Sequence, residues 1–449
     1  MLNTIITYSF VDYGLGAYSF TTYSESRGGL HLFSLINVPA VSILGPTGTR
    51  LTAIVLTGMT IVVTFLLVRR LYGERTALLA AAFLTISPMF QFFGTAGFPE
   101  SMELFTSTAA VYAFVRYCDS DRYRWLGVSF LFLSLGILDH AWVAFVFAPL
   151  ALVSLSRRDF TATGLYTAVV AGSVWVVYFL TNVRGGGSTL RAYSVFYRPE
   201  PLFDPAFYVG IAYDAIGFGL SPPLGLGVIL LSVWYLLRGR HLLVASWVVA
   251  SLSTVALFPR GASIHFYYLW GLLVPGSILL AVAVFDLAGR CSTRFDDYGL
   301  TYERAVSIGV TGAVGLLVLS SVIAGPLGII LPPPEGAQQL QEGSCVQKVM
   351  TDNDIESEDV AIATSLPATK KEDGSTIYLH TYLTYARLYL GAPDSPAVYE
   401  TRDVALAEQP SLVIDFEDTY VANQNSTGPS PGVLLRQGGD YTTVCGTEN

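Results

Sequence analysis

Between Leu51 and Leu331 the chain carries about ten apolar segments, the longer ones near 18–20 residues. A helix of that length crosses the ~30 Å hydrocarbon core of a bilayer. Backbone N–H and C=O groups find no water there, so a spanning segment of this kind must satisfy them internally as a helix. The segments fall at about 51–69, 77–97, 99–116, 125–138, 140–156, 161–182, 222–237, 242–258, 266–288 and 305–330. Hydrophobic residues make up 52% of the 449, above the level of an ordinary soluble domain. An α-helical polytopic membrane protein follows.

Charge then orients the helices. Alternating the spans gives two sets of loops, one holding thirteen arginines (such as Arg69, Arg70, Arg157, Arg238 and Arg290) and the other six (Arg27, Arg50, Arg184, Arg191, Arg198 and Arg260). The positive-inside rule assigns the richer set to the cytoplasm. From Pro332 onward 18 acidic residues face 6 basic ones, net −12, while the rest of the chain is net +3. This acidic tail then lies outside, as does the N-terminal segment. An acidic exterior offers nothing to a nucleic acid. Cys118 and Cys291 fall in cytoplasmic loops; Cys345 and Cys445 fall in the outer tail and are candidates for a disulfide, although spacing alone does not fix pairing. Asn425-Ser426-Thr427 is a glycosylation sequon on the same side.

Three regions result: an outer-face interfacial segment over 1–50, a transmembrane part over 51–331 and an extracytoplasmic α/β domain over 332–449. In the first, Leu30–Leu44 is apolar but holds Pro39 and reads as interfacial or re-entrant. An outside N-terminus with no preceding span points to a misassigned start or to a first helix missing upstream. In the third, 359–364 and 411–416 read as buried strands, 335–351 as a helix, and 433–445 as a hairpin turned at Gly438-Gly439. Tyr378, Tyr382, Tyr385 and Tyr389 form a stripe at helical spacing, read first as packing.

Ionisable groups beside a membrane are expensive and therefore functional candidates. Glu100 follows Pro99 at the outward start of a span, where an acid is also ordinary helix-start chemistry. Asp139-His140 sits at the turn between two short spans, where Asp would cap the next helix and His would anchor at the interface. The loop Asn182–Ser221 joins Gly185-Gly186-Gly187 to Arg191, Tyr193, Tyr197 and Arg198, which suits closure over an anionic, sugar-bearing ligand as well as a plain aromatic belt. Arg260 and His265 precede Phe266-Tyr267-Tyr268 at a span mouth, where the guanidinium either grips a lipid phosphate or snorkels.

Three stretches resemble the GT-C glycosyltransferases, specifically the protein O-mannosyltransferase and aminoarabinose-transferase group. Gly29-Leu30-His31-Leu32 through Gly45 and Arg50-Leu51 is similar to an outer-loop segment of the family, without the Pro after the His. The run from Arg70 to Ala81, then Ser87-Pro88 and Pro99-Glu100, is the best match. His265-Phe266-Tyr267-Tyr268 through Pro275 is similar to a span entrance, with Tyr267 where Arg is common. The resemblance implies a GT-C-like fold of about ten helices with a small C-terminal α/β domain. It also implies inverting transfer of a sugar from a polyprenyl- or dolichyl-phosphate donor to a glycan, protein or lipid acceptor at the outer face of the plasma membrane, without a cofactor or metal. Glu100 matches the family's second outer acid. The Asp-Glu pair that family members carry after their first span has no counterpart here; Asp12 is the only acid before Glu25 and its context differs. The expectations are therefore Glu100 and Asp12 as catalytic acids, with His31, Arg191, Arg198, Arg260, His265 and Tyr267 binding substrate. A degenerate family member serving as scaffold stays open. So does a transporter or flippase of lipid-linked saccharide, although charged residues at span centres are almost absent and no internal repeat is visible.

Overall fold

The structure, a computed structural model, describes residues 32–44, 47–95, 97–179, 199–210, 222–259, 266–294, 301–324, 348–355, 359–363, 369–370, 376–377, 397–399, 402–415, 432–437 and 440–445. The chain divides into two compact units, Ser9–Leu331 and Pro332–Asn449 with Met1–Tyr8.

The larger unit is helical: α1 (Leu32–Leu44), α2 (Thr47–Tyr72), α3 (Glu74–Ile86), α4 (Pro88–Thr95), α5 (Glu100–Ser120), α6 (Tyr123–Asp139), α7 (Phe147–Ser156), α8 (Phe160–Tyr178), α9 (Pro205–Gly210), α10 (Pro222–Leu237), α11 (Leu242–Leu257), α12 (Leu273–Arg294) and α13 (Tyr302–Ala324). Single 3₁₀ segments at Ala141–Val146 and Phe266–Leu272 lead into α7 and α12. Among the described residues, helices fall in each of the ten expected spans. Among the described residues, four helices are long and apolar enough to cross a membrane: Gly48–Tyr72, Phe160–Tyr178, Leu269–Arg294 and Tyr302–Leu319.

Two segments differ from the sequence reading, the first for a local reason. The segment 77–97 is two helices, because Ser87 precedes Pro88 and adopts an extended ψ of 124°. The proline ring disfavours the helical conformation for its predecessor. The segment 32–44 is a full helix despite Pro39, and it buries Phe33, Ser34, Asn37 and Val41. It packs against α2 so closely that a Cβ on Gly48 would lie 2.4 Å from the Ala40 carbonyl carbon.

Burial grades the helices. The most apolar stretch of Leu269–Arg294 is 78% buried, against 22% for that of α8 and 11% for that of α13, so α12 is interior among the described residues and the other two are largely exposed. Helix α5 is as central as α12. It buries 15 of its 21 residues, including Glu100, Glu103, Thr106, Ser107 and Thr108. A helix wrapped by other helices need not be apolar all round, because its polar groups meet protein rather than lipid. Its neighbours are α2 and α6, the latter reached through a tight turn with Asp121 at φ 51°.

Polar contacts separate the bundle's two ends. At one, Arg70 pairs with Asp119, the Tyr117 hydroxyl donates to Asp159 at 2.7 Å, and the Tyr235 hydroxyl donates to Asp286 at 2.8 Å. Arg290 lies 4.5 Å over the Trp234 ring. At the other end lie the start of α5, the end of α6 and the 3₁₀ entrance to α12.

The smaller unit holds a five-stranded sheet of order β4-β1-β5-β6-β7, made of β1 (Val360–Ala363), β4 (Ala397–Tyr399), β5 (Leu412–Asp415), β6 (Gly432–Gln437) and β7 (Asp440–Cys445). A two-stranded pair, β2 (Thr369–Lys370) and β3 (Thr376–Ile377), forms a second sheet. Strand β1 is parallel to β4 and β5, and β5-β6-β7 is antiparallel. The expected strands at 359–364 and 411–416 are β1 and β5, and the expected hairpin is β6–β7. Ala361, Val413 and Leu434 pack with Ala405 of α14 (Arg402–Ala407) to form its core. The tyrosine stripe and the sequon lie outside the described residues, as does most of the expected helix 335–351.

Candidate active site

Pro99 takes the first helical φ and has no N–H to leave unpaired, so α5 starts sharply at Glu100. Glu100 and Glu103 are three residues apart and share one face. Both are buried, at 4% and 9% exposed. The opposite wall comes from the α6–3₁₀ turn. His140 sits there in extended backbone (φ −149°, ψ 121°), and its amide donates to the Gly136 carbonyl at 2.8 Å. Its Nδ1 lies 2.6 Å from Glu103 Oε1, with both side chains mostly buried. Preceding it, Asp139 accepts the Phe33 amide at 2.8 Å. Asp139 therefore caps the first turn of α1, a helix more than a hundred residues away, instead of the helix that follows it.

The remaining wall comes from α11 and the entrance to α12. The Trp270 indole N–H donates to the Glu100 carbonyl at 2.5 Å, and Phe90 stacks on the Trp270 ring at 6.1 Å. Ser251 donates to the Gly271 carbonyl at 3.0 Å, which ties the 3₁₀ segment to α11. These elements border a cavity of about 50 Å³, which Trp142, Trp247, Ser107 and Thr254 also line. Its polar and aromatic lining among the described residues includes two carboxylates, one imidazole, three hydroxyls and three indoles. Carboxylates accept hydrogen bonds from hydroxyls, and indole faces bury apolar surface while keeping an N–H donor. That combination fits a polyol that is polar at its rim and apolar on its faces. Among the described residues no group of three His, Cys, Asp or Glu side chains is placed to hold a metal ion.

Residues 41–182 match the family model of dolichyl-phosphate-mannose-protein mannosyltransferases. The chain is also similar in structure to ArnT from Cupriavidus metallidurans in the apo state, at 13% identity and a TM-score of 0.52, over 98% of this chain and 92% of that one. The fold is GT-C-like. A lower similarity, TM-score 0.46 at 13% identity, links it to the oligosaccharyltransferase AglB from Archaeoglobus fulgidus in complex with an inhibitory peptide and a dolichol-phosphate. There the match covers 90% of this chain and 60% of that one. No curated protein sequence matches.

Glu100, Glu103, Asp139 and His140 all fall inside the family-matched stretch, whereas Trp247, Ser251, Thr254 and Trp270 belong to helices beyond it. Of the residues expected to act, Glu100 lines the cavity and Tyr267 falls on the 3₁₀ entrance to α12. Asp12, His31, Arg191, Arg198, Arg260, His265 and Cys345 lie outside the described residues; Cys445 ends β7. Cys118 and Cys291 are free thiols. Sequence reasoning missed Glu103, Trp247, Ser251, Thr254 and Trp270. The i, i+3 spacing of Glu100 and Glu103 was the one available signal; the others read as ordinary apolar or small residues of long helices.

Proposed function

We propose that the chain is a membrane glycosyltransferase that moves a sugar from a polyprenyl- or dolichyl-phosphate donor to a glycan, protein or lipid acceptor. The observation that carries this reading is Glu100, a carboxylate of the mannosyltransferase-matched stretch that is held in a buried, indole-lined cavity. The arginine-rich end of the bundle faces the cytoplasm by the positive-inside rule, so transfer takes place at the outer face. The acidic α/β unit is on that side too.

In the proposed reaction the acceptor hydroxyl donates its proton to Glu100 while its oxygen bonds to the anomeric carbon. The bond from that carbon to the phosphate oxygen breaks, and its electron pair stays on the phosphate. Arg191, Arg198 and Arg260 stabilise that anion through forked N–H contacts. His31, His265 and Tyr267 contact the donor, and Asp12 is the second candidate acid. No cofactor takes part in these steps.

The test is transfer of radiolabel from polyprenyl-phosphate sugars in membranes holding the full chain, wild type against Glu100→Gln. The amide keeps the shape and loses the base, so turnover falls by roughly 10²–10⁴-fold. A Glu100→Gln protein with wild-type turnover, or a wild type that transfers nothing to any acceptor class, defeats the reading.

A further inference from the structure

At the arginine-rich end of the bundle, away from the cavity, Trp234 holds two guanidinium groups. Arg290 of α12 lies 4.5 Å from its ring centroid, and Arg238, one residue beyond α10, lies 5.8 Å from it. Both arginines are exposed, and among the described residues neither makes a salt bridge or a side-chain hydrogen bond. The acid one turn before Arg290 is Asp286, whose carboxylate is engaged elsewhere: the Tyr235 hydroxyl donates to it at 2.8 Å, and His241 Nε2 lies 3.5 Å away. A cation over an indole is held without a hydrogen bond, so its N–H donors stay available for an anion. Arg116 and Arg124 share Trp125 at 4.5 and 5.8 Å, but Arg116 is partly buried and donates to the Tyr112 hydroxyl, so only one of that pair is fully open to a ligand.

A second feature adjoins the Trp234 pair. Leu230 and Leu237 are four residues before and three after Trp234, and so flank it on the surface of α10. With Val233 they form an apolar stripe that is 47–82% exposed. We infer that Trp234, Arg238 and Arg290 bind the headgroup of an anionic phospholipid of the cytoplasmic leaflet, whose acyl chain lies along that stripe. The inference is independent of the transferase reading. The positive-inside rule puts this end of the bundle at the cytoplasmic leaflet, where anionic lipids attract basic residues. Two cations without an acidic partner favour a headgroup of net negative charge, because a zwitterionic one brings its own cation. The apolar stripe favours an occupant with a chain over a soluble phosphate.

The experiment is native mass spectrometry of the full chain in detergent, titrated with phosphatidylglycerol or with phosphatidylcholine of the same acyl chains. At about fivefold per arginine, the wild type should prefer phosphatidylglycerol roughly 30-fold. Arg290→Gln should keep a preference of about fivefold, and Arg238→Gln with Arg290→Gln should keep none. Arg75→Gln with Arg122→Gln removes the same charge from two exposed arginines that rest on no indole among the described residues, and should keep the wild-type preference. Leu237→Asn keeps every charge and should weaken phosphatidylglycerol binding severalfold, while soluble glycerol phosphate at the lipid concentration should displace nothing. A wild type without the preference overturns the inference. Equal losses in the two double variants also overturn it, since general positive charge would then account for binding. Displacement by glycerol phosphate assigns the arginines to a soluble phosphate ester and overturns the lipid assignment. Should the Arg238→Gln/Arg290→Gln protein fail to fold, an undiminished preference in Arg290→Gln alone is equally fatal.

Discussion

Gly136 offers a quantitative test of how the α5–α6 contact builds the cavity. A Cβ placed there would lie 2.6 Å from Thr106 Oγ1 and 2.7 Å from Val143 Cγ1, whereas ordinary contact begins at 3.4 Å. Neither neighbour yields easily. Thr106 Oγ1 is held by the Met102 and Glu103 carbonyls at 2.9 and 3.2 Å, and Val143 is 4% exposed on the 3₁₀ segment. The Gly136→Ala substitution therefore forces the elements apart by about 0.7–0.8 Å, an overpacking cost of about 1–3 kcal/mol. Replacing Gly inside a helix returns about 1 kcal/mol in propensity, so the net loss is about 0–2 kcal/mol. In a helical unit of this size each kcal/mol lowers Tm by roughly 2–4 °C. Thermal unfolding of Gly136→Ala in detergent should fall by up to about 8 °C on that scale. Because the Gly136 carbonyl also holds the His140 amide, the same shift should lower transfer activity. Adding Val143→Ala removes one of the two clashes and should make the double variant more stable than the sum of the singles. A Gly136→Ala protein more stable than wild type would show that the helix ends are loose. Strict additivity with Val143→Ala would show that the two side chains do not compete for one space.

Other substitutions read separate links. Asp139→Ala leaves the buried Phe33 amide without its acceptor and should cost about 1–3 kcal/mol; hydrogen exchange should rise in α1 first, and unchanged α1 protection would refute the cap. Tyr235→Phe removes the donor to Asp286 and should lower stability by about 1 kcal/mol; an unchanged Tm would mean that His241, 3.5 Å from the same carboxylate, suffices alone. In the smaller unit the Tyr441 hydroxyl donates to the Pro410 carbonyl at 2.6 Å, and burial holds the phenol above its usual value of 10.0, partly countered by Arg436. That contribution is full below pH 10 and is lost as pH rises past it. Exchange-rate mass spectrometry on 432–445, corrected for intrinsic rates, should show extra opening above pH 10 in wild type and a pH-independent loss in Tyr441→Phe.

The helical frame was legible because hydrophobic length is a local signal, and so were β1, β5 and the β6–β7 hairpin, whose buried residues alternate or cluster within a few positions. The break at Ser87-Pro88 was also written locally, in a dipeptide that disfavours helix, yet it was masked by the apolar run on both sides. Helix α1 was read too weakly for the opposite reason. Pro39 weighs against a helix in isolation, but the N-terminus of α1 is secured by Asp139, which no window around Pro39 contains.

The cavity shows where local reading fails in principle. Glu100 was identified because its Pro-Glu context carries a local explanation and a family likeness at once. Glu103 has the same side chain, one turn along, but its meaning depends on His140, 37 residues later, and on the turn of α6 that presents it. Trp270 is more distant still: its role is a hydrogen bond to the backbone of Glu100, 170 residues away, so the indole is indistinguishable in sequence from an interfacial tryptophan. An acid at a helix start is favoured by the helix dipole whether or not it does chemistry. What separates the two cases is the company it keeps across the bundle. A capping acid tolerates exchange for Asp or Ser, whereas a carboxylate that shares its cavity with an imidazole and three indoles has a fixed reach. Glu103→Asp, which keeps the charge and withdraws it by one methylene, should therefore lower transfer activity while keeping wild-type helix stability. Equal activity of the Asp variant and wild type would assign Glu103 to the helix start alone.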